Sequence, residues 1–438
     1  MSRPRFEVAE IFRQHGPDYR AKHALPYEQL RLMRAIEICR SAELGIHREE
    51  CDQCHYQRFA YGSCRNRHCP KCQNSERARW LDARRDELLP VEYFHVVFTL
   101  PAQIARLALA NKAAVYSILF RTAAQTLLTI GRDPKHLGAA LGFFALLHSW
   151  GQNLLFHPHL HCVVPGGGFS PGRQGFLPCR PGFFLPVRVL SRLFRRLFLS
   201  ALEEAFQQGK LGFPGKLAAL AEPAAFAAYL APLRKIKWVV YAKPPFGGPQ
   251  QVLDYLGRYT HRVALSNERI QGFDNGQVRF QWKDYRRKPS QQSRLMTLQV
   301  EEFIRRFLLH SLPPGLQRIR YYGFLANRGR RANLELCRQL LAQAAREAAA
   351  AQAPTAAGLL PPAQQCQALG QAPQSEALAP APQPQALAAR PPERCPQCQQ
   401  GHMIRLGFLP PGYPLPPGRW LGPGPAPPPG GCLPPPDT

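Results

Sequence analysis

The chain has 438 residues, enough for two or three domains and a sizeable core. Lys and Arg total 56 against 29 Asp and Glu, a formal charge of +27, and such a surplus points to a polyanionic partner, nucleic acid first. No apolar run of about 18 residues or more stands out, and no basic stretch followed by an apolar one opens the chain, so no membrane partner is expected and a cytoplasmic, nucleoid-associated protein is.

Residues 1 to about 50 carry helical patterning, as in the segment from Tyr27 to Ala42. Five of the 13 cysteines then fall between Cys51 and Cys72, and such clustering in a cytosolic chain reads as metal binding. Cys51 and Cys54 form one CxxC pair, Cys69 and Cys72 a second, with 14 residues between the pairs. Four thiolates complete a closed tetrahedral site for a structural Zn²⁺ ion. Cys64 and His68 lie between the pairs and leave the ligand set slightly ambiguous. Arg65, Arg67, His68 and Lys71 make the knuckle basic and suited to tracking phosphates. RARWLDARRDELLP follows, a charged helix that ends before Pro90.

From there the texture changes. YFHVVFTLP (Tyr93 to Pro101) is a β-branched and aromatic run closed by proline, and reads as a strand. Residues 103–130 recur at helical spacing, 138–150 form a buried strand, and His157 to Pro165 form the next. Residues 188–230 are helical, Lys237 to Pro245 a strand, and Gln250 to His261 a helix. RIQGFDNGQVRFQW is a hairpin turning at Asn275–Gly276. The pattern predicts an α+β fold, with helices on one face of a largely antiparallel sheet. Residues 351–438 hold 23 of the 45 prolines and no lysine, and lack the apolar content for a core. One more CxxC, Cys395 and Cys398, lies there with His402 nearby; half a site reads equally as a remnant or as a metal binder.

Two constellations carry chemistry. In HPHLHCVVPGGG, His157, His159 and His161 alternate, so on a strand they share a face and suggest a metal ion. In YLGRYTHR, Tyr255 and Tyr259 are one helical turn apart, beside Arg258, His261 and Arg262. Cations near a phenol favour its ionised form and attract a phosphodiester. A divalent ion would polarise a scissile phosphate while a tyrosine attacks and becomes joined to it. The bond energy is retained, which fits the absence of a GxxxxGK[ST] loop and of any nucleotide cofactor. Imidazole suits Mn²⁺ better than Mg²⁺, and both are compatible.

At these residues the chain resembles the two-tyrosine HUH transposases of rolling-circle insertion sequences (insertion-sequence family ninety-one). HPHLHCVVPGGG, KWVVYAKPPFGG and YLGRYTHRVALSNERI carry the resemblance. CDQCHYQRFAYGSCRNRHCPKCQ is similar to that family's N-terminal zinc domain, VVFTLP to its first strand motif, and EFIRRFLLHSLPPGLQRIRYYGFL to the end of its catalytic region. Together they cover roughly residues 10 to 335; the Pro/Ala/Gln-rich tail departs from the pattern. The resemblance implies a central antiparallel sheet with helices on it. It implies a helical, zinc-binding, DNA-binding part over residues 1–90 and a catalytic part over 91–335, and composition leaves 336–438 as a Pro/Ala/Gln-rich, disordered tail with a CxxC remnant. His159 and His161 match the motif ligands, because Leu160 is the bulky residue between them. His157 is a candidate third ligand, with Gln251 and His261 as others, and Tyr255 and Tyr259 map to the nucleophiles. The implied activity is nicking and joining of single-stranded DNA at element ends and target, through a 5′-phosphotyrosine. A replication initiator or relaxase shares that chemistry.

WKDYRRK (Trp282 to Lys288), FIRRF (Phe303 to Phe307) and RIRYYGFLANRGRR (Arg318 to Arg331) interleave Arg with aromatic residues, as single-stranded DNA binders do. Gly166 to Gly168 either let backbone approach phosphate or simply turn the chain. A non-catalytic zinc-containing DNA-binding protein accounts for the charge and the cysteines but leaves the histidines and tyrosines unexplained. An RNA-binding protein shares the electrostatics.

Overall fold

The computed structural model describes residues 4–242, 251–252, 263–284, 289–352 and 394–412. The N-terminal part contains α1 (Val8–Lys22), α2 (Tyr27–Glu37), β1 (Ile46–Cys51), β2 (Gln57–Tyr61) and α3 (Pro70–Arg85). A reciprocal pair of hydrogen bonds between Glu7 and Glu10 starts α1. Pro70 sits in the first turn of α3, where a missing N–H costs nothing.

The central sheet is built from β3 (Tyr93–Thr99), β4 (Gly142–Trp150), β5 (Phe156–Pro165), β8 (Val240–Ala242) and β12 (Ile319–Gly323), in the order β12-β4-β5-β3-β8. Every neighbour is antiparallel. Its two faces differ sharply. Phe94, Val96, Phe98, Phe143, Ala145, Leu147, Leu160, Cys162 and Val164 point one way, into the main core. Four helices cover that face: α4 (Ala105–Ala110), α5 (Lys112–Arg132), α6 (Val187–Gln207) and α7 (Pro223–Lys235). At full burial each Phe, Leu or Val contributes roughly 1.5–3 kcal/mol. The alternate residues of the same strands form the opposite face, where the histidines lie. This is the predicted arrangement of helices on one face of an antiparallel sheet.

The helix predicted over 103–130 is broken at Asn111, whose side chain bridges the Leu107 carbonyl and the backbone of Gly212. By length and mean hydropathy α5 is the one helix among the described residues that could cross a bilayer, but Arg121 interrupts it, so it is not a continuous apolar run of the kind the sequence lacks. It is a core helix here, with Tyr116, Leu119, Phe120 and Leu127 fully buried.

A second sheet holds β9 (Ile270–Asp274), β10 (Gln277–Lys283) and β11 (Ser293–Gln299), in the order β11-β10-β9. Asn275 and Gly276 turn the predicted hairpin with φ of 48° and 69°, the geometry an Asn-Gly turn favours. This sheet and the helix Val300–Leu308 pack on α1 and α2 in one continuous core that contains Phe12, Met33, Phe280, Phe303 and Phe307. The Asn267 side chain also accepts from the Val8 backbone N–H at 3.1 Å. The N-terminal helices are therefore packed on residues 263–308.

The tail does not follow its composition throughout. A helix runs from Arg330 to Gln352, and β13 (Met403–Leu409) pairs antiparallel with β1. Residues 353–393 and 413–438 lie outside the described residues.

His310 is fully enclosed between Ser149 and the Leu154 carbonyl. Burial pushes its pKa down to about 3. Below the ordinary value of 6.5 the unfolded chain takes up a proton that the folded chain refuses. The stabilisation is therefore full above pH 6.5 and is lost as the pH falls toward 3, at up to ~1.4 kcal/mol per pH unit. Thermal midpoints at pH 7.5 and 5.5 should fall for the native chain and fall measurably less for His310→Gln; parallel pH curves would refute this role.

Candidate metal centres

β4 lies beside β5 with His148 opposite His159 and Leu146 opposite His161. On the other side of β5, Val97 of β3 stands opposite His161. The pairing brings His148, His159 and His161 together, with their ligand nitrogens within 4.8 Å of one another. Ring centroids are 4.5 Å apart for His148–His161 and 4.7 Å for His159–His161. Each ring is held by a neighbour. His161 Nδ1 lies 2.8 Å from His95 Nε2, and His159 Nδ1 donates to the His157 carbonyl at 2.7 Å. His148 stacks on Trp150 at 4.6 Å. In many histidine metal sites one ring nitrogen is held by an orienting partner of this kind while the other binds the ion. His148 and His161 are buried and His159 is half-buried, so the group opens to solvent on the His159 side. Three imidazoles with an open side suit a divalent transition ion that keeps positions for water or phosphate oxygen.

His157 is not part of this group. Its ring is exposed, and it contributes its carbonyl to His159 instead. The reason is distance. Residues i and i+4 of a strand are ~13 Å apart, too far for both to reach one ion with i+2 between them. A residue directly opposite on the next strand is only ~5 Å away, which is what His148 exploits. Of the other candidates, Gln251 is exposed, and the adjacent Val252 packs against Tyr93, Phe144 and Val163 on the histidine face of the sheet. Tyr255, Tyr259 and His261 lie outside the described residues.

The four cysteines expected to share one zinc are divided between two clusters. Cys69 and Cys72, at the start of α3, join Cys39 and Cys64. Cys51 and Cys54 join Cys395 and Cys398. In the first cluster Sγ of Cys72 is 3.5 Å from that of Cys39 and 3.6 Å from that of Cys64. Zn–S bonds of about 2.3 Å in a tetrahedron set S···S edges at about 3.8 Å, so the cluster fits zinc. Disulfides, at about 2.05 Å, are not formed. Arg65, with φ of 50°, makes the turn after Cys64, and the Asn66 N–H points at the Cys64 sulfur at 3.4 Å. CxxC spacing locates a knuckle but not its partner. The signal for Cys39 was a lone buried cysteine after α2, and Cys64 lay between the pairs.

Basic residues of the knuckle are largely used inside the chain. Arg67 donates to the carbonyls of Leu312, Pro313 and Leu316, and His68 accepts from the Leu312 N–H. Lys71 is buried against Glu7 at 2.6 Å. In FIRRF both phenylalanines are core, and Arg305 and Arg306 pair with Glu302. Arg320 covers the Phe120 ring, and Tyr321 lies under Arg330. Of WKDYRRK, residues 285–288 lie outside the described residues. The glycine triplet serves close packing within the fold: a Cβ on Gly168 would sit 2.4 Å from the Ala140 carbonyl oxygen. Two grooves over the helix layer are also lined by arginine. One holds Arg192, Arg195, Arg196 and Arg234, of which Arg195 donates to the Ile236 carbonyl and Arg234 pairs with Glu203; the other holds Arg121, Arg132 and Arg320, with Arg121 beside Glu204.

The first cluster makes a prediction that CxxC spacing does not. Cys39→Ser should lower the zinc content by as much as Cys69→Ser does, measured by mass spectrometry of the purified chain. An unchanged content in Cys39→Ser would remove it from the ligand set.

Comparison with known proteins agrees with these features. Residues 11–100 match the family described as "Transposase zinc-binding domain", and residues 142–333 match the family "Putative transposase". "Putative transposase y4qJ" of Sinorhizobium fredii (strain NBRC 101917 / NGR234) is 62% identical over 355 residues, covering 81% of this chain and 89% of that protein. The transposase for insertion sequence element IS801 of Pseudomonas savastanoi pv. phaseolicola is 26% identical over 300 residues, covering 66% of this chain and 68% of the relative. No solved structure gives a significant match. With a zinc-binding module, a histidine-bearing antiparallel sheet and these relatives, the chain belongs to the transposases of insertion-sequence family ninety-one.

Proposed function

We propose that this transposase nicks and rejoins single-stranded DNA at the ends of its mobile element and at the target, with Tyr255 and Tyr259 as nucleophiles. His148, His159 and His161 would hold the catalytic ion, Mn²⁺ or Mg²⁺. Cys39, Cys64, Cys69 and Cys72 would hold a structural zinc. The reaction belongs in the bacterial cytoplasm, on nucleoid DNA. The observation that carries the reading is the three-imidazole group on the open face of the central sheet, with its rings oriented by His95 and the His157 carbonyl. Val252 supports the tyrosine assignment, because it packs on the same face. Three peptide units separate it from Tyr255, so the two Cα atoms are at most about 11 Å apart.

When bound, the ion would polarise the scissile phosphate and favour departure of the 3′ oxygen. The tyrosine oxygen forms the new P–O bond, the P–O3′ bond breaks, and the freed 3′ oxygen takes up a proton. The phenolic proton is released to solvent. A later attack by a 3′-hydroxyl on the phosphotyrosine reverses these changes and seals a strand. One ester replaces another in each step, so no nucleotide cofactor is consumed. Two tyrosines allow the second cleavage while the first end is still held. The Arg-lined grooves over α5, α6 and α7 offer the backbone a cationic path.

The test is a covalent-adduct assay with end-labelled single-stranded oligonucleotides from both flanks of the element, with Mn²⁺. A labelled band at protein mass is expected. It should disappear without metal, in the Tyr255→Phe/Tyr259→Phe double variant, and in His161→Ala. Tight binding of the same oligonucleotides with no adduct would favour a non-catalytic DNA-binding protein.

A further inference from the structure

The second cysteine cluster joins the two ends of the chain. Cys51 closes β1, Cys54 follows on the turn, and the partners Cys395 and Cys398 come more than 300 residues later. Sγ of Cys51 lies 3.7 Å from that of Cys398, and Sγ of Cys54 lies 3.6 Å from that of Cys395. All four sulfurs are within 4.8 Å of one another. These are the edges of a tetrahedron of zinc–thiolate size.

Two knuckles of the same design build the cluster. N–H groups of Gln53 and Cys54 point at the Cys51 sulfur at 3.4 and 3.5 Å. Gln397 N–H points at Cys395 at 3.3 Å, and Gly401 N–H at Cys398 at 3.4 Å. The residue after each second cysteine is left-handed: His55 has φ of 56° and Gln399 of 61°. Each also closes its turn, His55 N–H onto the Cys51 carbonyl and Gln399 N–H onto that of Cys395. Gly401 must be glycine, since a Cβ there would lie 2.5 Å from the Cys51 sulfur. Asp52 then ties the two knuckles together, accepting from the His402 N–H at 2.7 Å and donating its own N–H to the His402 carbonyl.

β13 continues from this point along β1, with Cys51 opposite Met403 and Ile46 opposite Leu409. The ladder, buried Met403, Phe408 on the His47 ring and the Arg405–Glu49 pair all hold the strand, yet Ile404, Leu406 and Phe408 remain about half exposed. Closing so long a loop carries an entropy cost that grows with its length, and a metal clasp across the four sulfurs would offset part of it. We propose that Cys51, Cys54, Cys395 and Cys398 bind a second zinc ion, a clasp that fixes the C-terminal segment to the N-terminal zinc module. The chain then carries two structural zinc ions, and β13, the last strand among the described residues, is part of the N-terminal module.

Zinc content of the full-length chain and hydrogen exchange test this, independently of the tyrosine chemistry. Two zinc ions per chain are expected. Cys395→Ser/Cys398→Ser should retain one, and Cys64→Ser/Cys69→Ser should retain the other. In the first variant, amides of 46–51 and 403–409 should lose protection while those of 142–150 and 156–165 keep theirs, which shows that the fold survives. Cys54→Ser alone should give the same pattern. Two zinc ions remaining in both Cys395→Ser/Cys398→Ser and Cys54→Ser, or protection unchanged at 403–409, would overturn the proposal. A zinc lost only in Cys64→Ser/Cys69→Ser would leave the first cluster standing and remove the second.

Discussion

A slip of β4 by one residue against β5 would turn every side chain of β4 to the other face. Phe143, Ala145 and Leu147 would leave the helix-covered core, and His148 would enter it. Phe144 and Leu146 would take their places, since β4 is buried on both faces, but His148 would be set in an apolar core, where an unpartnered polar group costs roughly 1–3 kcal/mol. The register of these two strands is therefore favoured by the placing of His148 as well as by the fit of the apolar side chains. The same register sets His148 opposite His159 and so builds the three-histidine group on the other face. Core packing and site geometry are two sides of one constraint, and the helices α5 and α6 position the histidines without touching them.

The supporting contacts extend that logic. His95 comes from β3, on the far side of β5, and its position relative to His161 is fixed by the pairing of Val97 with His161. The His157 carbonyl holds His159 because strand geometry keeps the chain extended there. Three adjacent strands thus supply ligands and their orienting partners. Helix α3 leaves the first cysteine cluster and brings Trp80 and Leu81 onto the same side of the sheet as Val252, beside Tyr93 and Phe144. The zinc module is thereby joined to the sheet that carries the histidines.

Local patterns were legible in the sequence and long-range pairings were not. A β-branched and aromatic run marked the strand at 93–101, the alternating histidines marked that at 157–165, and Asn275–Gly276 marked the hairpin, because each depends on residues close in the chain. The HxH pair on β5 was readable for the same reason. The partner His148 sits in an apolar strand, where one histidine carries no signal until the strand pairing is known. The cysteines show this most plainly. Spacing located both knuckles at 51–54 and 69–72, yet each is completed from elsewhere, one by Cys39 and Cys64 and the other from the tail. Composition alone marked residues 351–438 as lacking a core, but a strand anchored by ladder hydrogen bonds needs little apolar content. The Arg-aromatic runs misled for a related reason. FIRRF reads as a nucleic-acid stripe, but at helical spacing its phenylalanines fall on one side and its arginines on the other.

The claim on which the account turns is that the cross-strand trio, and not the three histidines of one strand, is the metal centre. Mn²⁺ titration of the full-length chain, followed by electron paramagnetic resonance, tests it with His148→Ala beside His157→Ala. Loss of Mn²⁺ binding in His148→Ala with near-native binding in His157→Ala is the predicted result. Binding that survives His148→Ala and is lost in His157→Ala would contradict it.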